Sequence, residues 1–169
     1  MNQSTTTSAD PKATPASVHA MPLATDDVIS LLNGLIETCK DGEAGFRQAA
    51  SEVKHGPHKA MFTRISRQRA EFATELQSEV RKLGGDPEKS GTVVAALHRG
   101  WNEVKTSFAG RDDAAILNEC ESGEDSSKKN YNDAASKTLP ADLTAIIVRQ
   151  AAAVRAAHDE VRDERNRQV

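Results

Sequence analysis

Residues 25–53, TDDVISLLNGLIETCKDGEAGFRQAASEV, decide the fold. Val28, Leu32, Leu35, Ile36, Cys39, Phe46 and Ala50 recur at helical spacing, so one face of a long helix is apolar. Thr25, Asp26 and Asp27 supply N-cap and first-turn chemistry at its start. His55-Gly56-Pro57 breaks it, and Pro57 suits the first turn of the next helix.

The same pattern continues along the chain. A second helix is expected over about 57–83, with Met61, Ile65, Phe72, Leu76 and Val80 on one stripe. Gly84-Gly85-Asp86-Pro87 ends it. A shorter helix is expected over about 92–108, with Val93, Val94, Leu97, Trp101 and Val104 inward. A third long helix runs from about Asp113 to Lys137 with Ile116, Leu117, Cys120, Tyr131 and Ala134 inward. Leu139-Pro140 opens a fourth, carrying Leu143, Ile147, Val154 and Val161. Short connections make the first two and the last two long helices antiparallel neighbours. The long middle connection is a crossover carrying the short fifth helix. The expected fold is an all-α, up-down four-helix bundle over residues 25–169, behind a disordered Ser-, Thr-, Ala- and Pro-rich tail over residues 1–24.

Composition agrees with this and narrows function. The chain has 169 residues, with 4% aromatic and 28% charged residues, which favours helices over a β-sandwich. The formal net charge is -3 and no block of one sign stands out, which argues against a nucleic-acid partner. No apolar run approaches the roughly 20 residues of a membrane span, and no signal peptide is visible. A cytoplasmic protein is expected. Cys39 and Cys120 have no zinc-ligand spacing and read as inert core thiols. No phosphate loop, dinucleotide fingerprint or nucleophile–base spacing occurs.

Two helical hairpins look like copies of one another. Cys39-Lys40-Asp41-Gly42-Glu43 and Cys120-Glu121-Ser122-Gly123-Glu124 both read Cys-x-x-Gly-Glu, preceded by Ile36 and Leu117. Arg67-Gln68 and Arg149-Gln150 match at similar distances downstream. Periodicity places Glu43, Glu124, Gln68 and Gln150 on inward faces. A buried carboxylate needs a metal, a basic partner, hydrogen-bond donors or a raised pKa. Arg69 or Arg67, and Arg155 or Arg149, are the basic candidates. The polar core expected from the residues is therefore Glu43, Gln68, Arg69, Glu124, Gln150 and Arg155. His55 and His58 at the first turn are either surface chelators or polar turn residues, and His98 beside Trp101 packs or caps. Glu71, Glu75, Glu119 and Glu121 read as solvated faces.

In the stretches Leu35 to Phe46, Leu83 to Pro87, Ala96 to Trp101, Cys120 to Asp125 and Ala157 to Asp159, the chain resembles a bacterial ferritin-like four-helix-bundle family, domain-of-unknown-function family 2383. The resemblance implies the ferritin-like fold and no established activity. In the wider superfamily a di-iron site takes a Glu from two helices and Glu-x-x-His from the other two. Glu43 and Glu124 match the first pair, and His158 is the one remaining nitrogen ligand. The Glu-x-x-His motifs are replaced by Ser66-x-x-Arg69 (or Gln68-x-x-Glu71) and Arg155-x-x-His158. A non-catalytic bundle with a polar core, no cofactor and a homo-oligomeric state is expected. Iron binding at Glu43, Glu124 and His158 is the alternative.

Overall fold

The structure is a computed structural model, described here for residues 23–87, 108 and 110–168. Four helices make up the described residues: α1 (Thr25–Glu52), α2 (Gly56–Lys82), α3 (Asp113–Ala135) and α4 (Ala141–Arg167). No strand occurs among them. Each helix has 23 to 28 residues, roughly 35–42 Å at about 1.5 Å per residue. The expected short helix over 92–108, and nearly all of the expected tail, lie outside the described residues. Leu23 is an exception. It packs on the core, and its N–H reaches the Thr138 carbonyl at 3.4 Å.

Helix ends follow local chemistry. Asp112 caps α3, its side chain accepting from the Ala115 N–H at 2.8 Å. Pro57 occupies the first turn of α2. α1 is capped differently from the sequence expectation. Ala24 is its N-cap and makes no side-chain bond, while Asp26 and Asp27 sit in the first turn, where the helix dipole favours them. α2 ends with Gly84 at φ +79°, the Gly84 N–H on the Arg81 carbonyl and the Gly85 N–H on that of Val80. These are the paired bonds of a Schellman motif.

The core is divided. One apolar half contains Val28, Leu32, Leu35, Ile36 and Cys39 of α1, Phe72 to Val80 of α2, Tyr131 and Ala134 of α3, and Leu143 to Val154 of α4. The other contains Phe46 to Ala50 of α1, Met61 to Ile65 of α2, Ile116 to Cys120 of α3, and Ala157 and Val161 of α4, with Phe108. The order in which each helix passes through the halves gives its direction. α1 and α4 run one way, α2 and α3 the other. Helix α1 packs most extensively on α2 and α3 on α4, with α1 also against α3. Residues between the halves form a polar belt that includes Asp41, Ser66, Arg69, Glu121, Glu124 and Ser127, all buried.

The α2 terminus also locks onto α1. Asn33 Nδ2 donates to the Asp86 carbonyl at 3.0 Å. A Cβ at Gly85 would lie 2.8 Å from Ile29 Cγ2 and 3.0 Å from Val80 Cγ1. Both are β-branched methyls that cannot swing aside. Gly85→Ala is therefore expected to cost about 1–3 kcal/mol. Gly56→Ala, where a Cβ would meet nothing within 4 Å, should shift stability by less than about 0.5 kcal/mol. Urea titrations followed by circular dichroism check both.

Candidate functional site

The centre of the belt is a buried ion pair. Arg69 on α2 donates from Nη2 to Glu124 Oε2 on α3 at 2.6 Å, with side chains 1% and 0% exposed. Arg69 Nη1 donates to Gln68 Oε1 at 2.6 Å. Its guanidinium carbon stands 5.8 Å from the Phe72 ring centroid, within cation–π range. On α1, Gly42 leaves the space that Arg69 occupies: a Cβ there would sit 3.4 Å from Arg69 Cγ. Ser66 fastens the same helices, donating to the Glu43 carbonyl at 2.9 Å. Two atoms of the pair, Arg69 Nε and Glu124 Oε1, have no protein hydrogen-bond partner. Burial pushes the Glu124 carboxyl above its usual range, and the Arg69 charge and hydrogen bond offset only part of that.

A second polar chain crosses all four helices. Burial holds the Tyr131 phenol well above its ordinary pKa, so it is a donor. It donates to Gln150 Oε1 at 2.7 Å. The Cys39 sulfur, 3.0 Å from the phenol oxygen, must then donate its own hydrogen to that oxygen. Burial pushes this thiol up to about 11. Gln150 Nε2 donates to Glu75 Oε2 at 2.7 Å, and Arg149 Nη2 grips both Glu75 oxygens at 2.5 and 2.6 Å. Partial burial alone would raise Glu75, but the bonds from Arg149 and Gln150 outweigh it and hold the carboxyl below its usual range.

Not all the residues singled out from the sequence meet here. Arg69, Glu124 and Gln150 are buried in the core. Glu43 is not: its side chain is 31% exposed and accepts from Arg47, one turn along α1, at 3.0 Å. Gln68 is half-buried, and its Oε1 accepts from Arg69. Arg155 is exposed, donating to Asn132 Oδ1 at 3.3 Å. It follows Val154 on α4, and one residue turns a helical side chain about 100° off the inward stripe. His158 is buried with both ring nitrogens engaged, Nε2 at 3.0 Å from Asp125 and Nδ1 at 3.1 Å from Asp159, with Lys128 Nζ 3.1 Å from Nε2. Glu121 is buried and paired with Arg165 at 2.5 Å, and Glu75 is half-buried. Both depart from the solvated reading. His98 lies outside the described residues. Cys39 and Cys120 are buried free thiols. Among the described residues, no three His, Cys, Asp or Glu side chains form a group that could hold a metal ion, and no helix is long and apolar enough to cross a membrane.

Residues 27–137 match the family described as Domain of unknown function (DUF2383). The chain belongs to that family. The match spans α1, α2 and α3 and contains Arg69, Glu124, Glu75 and Tyr131, but stops before Gln150 and His158. No curated protein matches the chain.

Removing one partner of the central pair should cost far more than removing the half-exposed glutamate. Glu124→Leu strands the Arg69 guanidinium and is expected to lose about 3–5 kcal/mol. Glu124→Gln keeps an acceptor and should be milder. Glu43→Ala loses only an exposed i,i+4 pair, about 0.3–0.5 kcal/mol. The Arg69→Leu/Glu124→Leu double variant should recover most of the single-variant loss. Urea midpoints of the four proteins test this order.

The lowered Glu75 carboxyl has a pH signature. Its contribution is present above the unfolded carboxylate value, about 4.3, and is lost as pH falls through the lower folded value. Glu124 has the opposite sign, because its raised carboxyl binds protons more tightly when folded. Comparison of wild type with Glu75→Gln isolates Glu75. Between pH 6 and pH 3 the urea midpoint of the variant should fall less than that of wild type.

Proposed function

We propose that this chain is a ferritin-like bundle of non-catalytic character, which acts through its surface or by self-association as an accessory protein in the cytoplasm. The observation that carries this reading is the Arg69–Glu124 pair, at 2.6 Å and closed to solvent. The ferritin-like assignment draws support from the helix directions. With α2 and α3 parallel, the chain from Leu83 to Asp112 joins opposite ends of the bundle, as a long crossover requires.

Iron fits the residues poorly. Of the two glutamates expected as ligands, Glu124 is the buried one, and a guanidinium occupies its Oε2. A metal ligand shell needs unprotonated lone pairs converging on one point, and a fixed positive charge there repels a cation. Glu43 turns away to Arg47, and both nitrogens of His158 are engaged. One observation favours the alternative, iron binding at a reduced site: Glu124 Oε1 has no protein hydrogen-bond partner.

Anaerobic Fe(II) loading of tag-free protein, followed by exposure to oxygen, separates the readings. The expected outcome is no stoichiometric iron and no oxo-bridge absorbance. About two irons per chain, lost in Glu124→Ala, would replace this proposal with a ferritin-like oxidase. Light scattering on the same protein reads self-association, which the proposal expects above the monomer mass or in the presence of a partner.

A further inference from the structure

The Arg-Gln dipeptide that occurs on both α2 and α4 meets two fates. Arg149 of α4 finds a carboxylate within the chain and grips both oxygens of Glu75. Arg67 of α2 is exposed, and among the described residues its side chain has neither an ion-pair nor a hydrogen-bond partner. The same holds for Lys59, about two turns earlier on α2. Both side chains border a furrow of about 420 Å³ between α1 and α2, with Arg47 and Glu43 on the α1 wall. Contacts across the furrow fix the height of each cation. Ser66 bonds to the Glu43 carbonyl, and the Phe46 and Phe62 rings lie 5.7 Å apart between centroids. Arg47 therefore stands between Lys59 and Arg67. A helix rises about 6 Å in four residues, so the three cations follow one another at steps of about 6 Å. Arg47 donates to Glu43 through Nη1, which leaves most of its five N–H donors for another acceptor. Three cations thus face one carboxylate, in a chain whose formal net charge is -3. The floor carries the small side chains of Ala50, Ser66 and Ala70, so another backbone can come close.

We propose that this furrow binds an extended acidic segment of a partner protein, its Asp or Glu side chains at alternate positions seated on Lys59, Arg47 and Arg67. On one face of an extended chain, side chains recur about every 6.4–6.8 Å, close to the step between the cations. A charge-assisted bond from a guanidinium to a carboxylate is stronger than a neutral one, and Arg149 makes one inside the chain with Glu75. The furrow is shallow and its floor is small, so charge rather than apolar packing selects the partner's sequence. Glu43 acts as a competitor: its carboxylate holds Arg47 in place and repels the incoming one. The furrow gives the surface role proposed above a place and a partner class, and the assignment rests on that reading.

Fluorescence anisotropy of a labelled peptide with the core Glu-Thr-Glu-Thr-Glu, titrated with full-length protein at low salt, tests the assignment. The expected result is saturable binding that weakens as salt is added. Arg67→Gln and Lys59→Gln should each weaken it about three- to fivefold. Arg81→Gln, the same loss of charge in the last turn of α2, should leave it unchanged. Glu43→Gln removes the competing carboxylate and should tighten binding about two- to threefold, a gain that a merely structural role would not produce. A peptide with the same residues in the order Thr-Glu-Glu-Glu-Thr should bind more weakly. No binding by wild type overturns the proposal. Equal affinity for the two peptides overturns it, and so does an equal loss in Arg81→Gln, which would reduce the attraction to net charge. Tighter binding of a single-stranded oligonucleotide, lost in the same variants, would assign the furrow to nucleic acid instead. Self-association is read separately by light scattering, so its presence without peptide binding removes this partner and leaves the surface role standing.

Discussion

A guanidinium and a carboxylate closed off from water in the middle of a bundle constrain everything packed around them. Each charge loses several kcal/mol of hydration on burial, and only a partner at hydrogen-bonding distance offsets that loss. Arg69 and Glu124 sit on different helices, so α2 and α3 must stand at one relative height for the 2.6 Å contact to form. Gly42 on α1 lies against the Arg69 side chain, and Phe72 offers the guanidinium an aromatic face. The two apolar halves of the core, free to slide in a bundle of uniform leucines, are held in register by this belt.

The crossing chain from Cys39 through Tyr131 and Gln150 to Glu75 has a similar effect by other means. It contains one hydrogen per link, so its direction is determined. The phenol must donate to the Gln150 carbonyl for the amide to turn its N–H toward Glu75. A slip of one residue in any helix would leave a buried donor or acceptor unpaired, at about 1–3 kcal/mol. The net stabilisation from such networks is small, and their contribution is to the uniqueness of the packing. Raised thiol and phenol pKa values follow from the same burial and keep both groups protonated.

The helices were legible in the sequence because apolar period and breakers are local signals. Asp112, Pro57 and the Gly84-Gly85 pair end or start elements where the sequence places them. The partners of the polar residues were less legible. Glu43 and Glu124 occupy the same place in the Cys-x-x-Gly-Glu repeat, yet one is half-exposed and the other buried. The difference lies in the neighbouring helix. On α1 the buried Gly42 and Phe46 face Arg69 and Phe62 of α2, and Glu43 lies at the rim of that stripe. On α3 the buried positions Cys120, Glu124, Ser127 and Tyr131 stay in one line. Periodicity measured from Cys39 cannot register which edge of the stripe α2 covers. Glu75 was missed for a related reason. The signal available was Gln150 itself, an inward amide that needs both an acceptor and a donor nearby, and Glu75 of α2 is its acceptor.

The belt also bears on how one scaffold can hold different chemistry. A buried carboxylate in a bundle can be neutralised by a metal, by a proton or by a basic side chain, and these occupants compete for the same lone pairs. With Arg69 in place the charge is balanced inside the protein, and the core no longer depends on anything from solution. His58 presents a different case. Its imidazole lies between two carboxylates, those of Asp113 and Glu164, at the far end of the bundle. A bundle built this way balances its charge at the centre and keeps a separate polar cluster at one end. Chemistry at the α1–α2 turn can then change without loosening the register that Arg69 and Glu124 set.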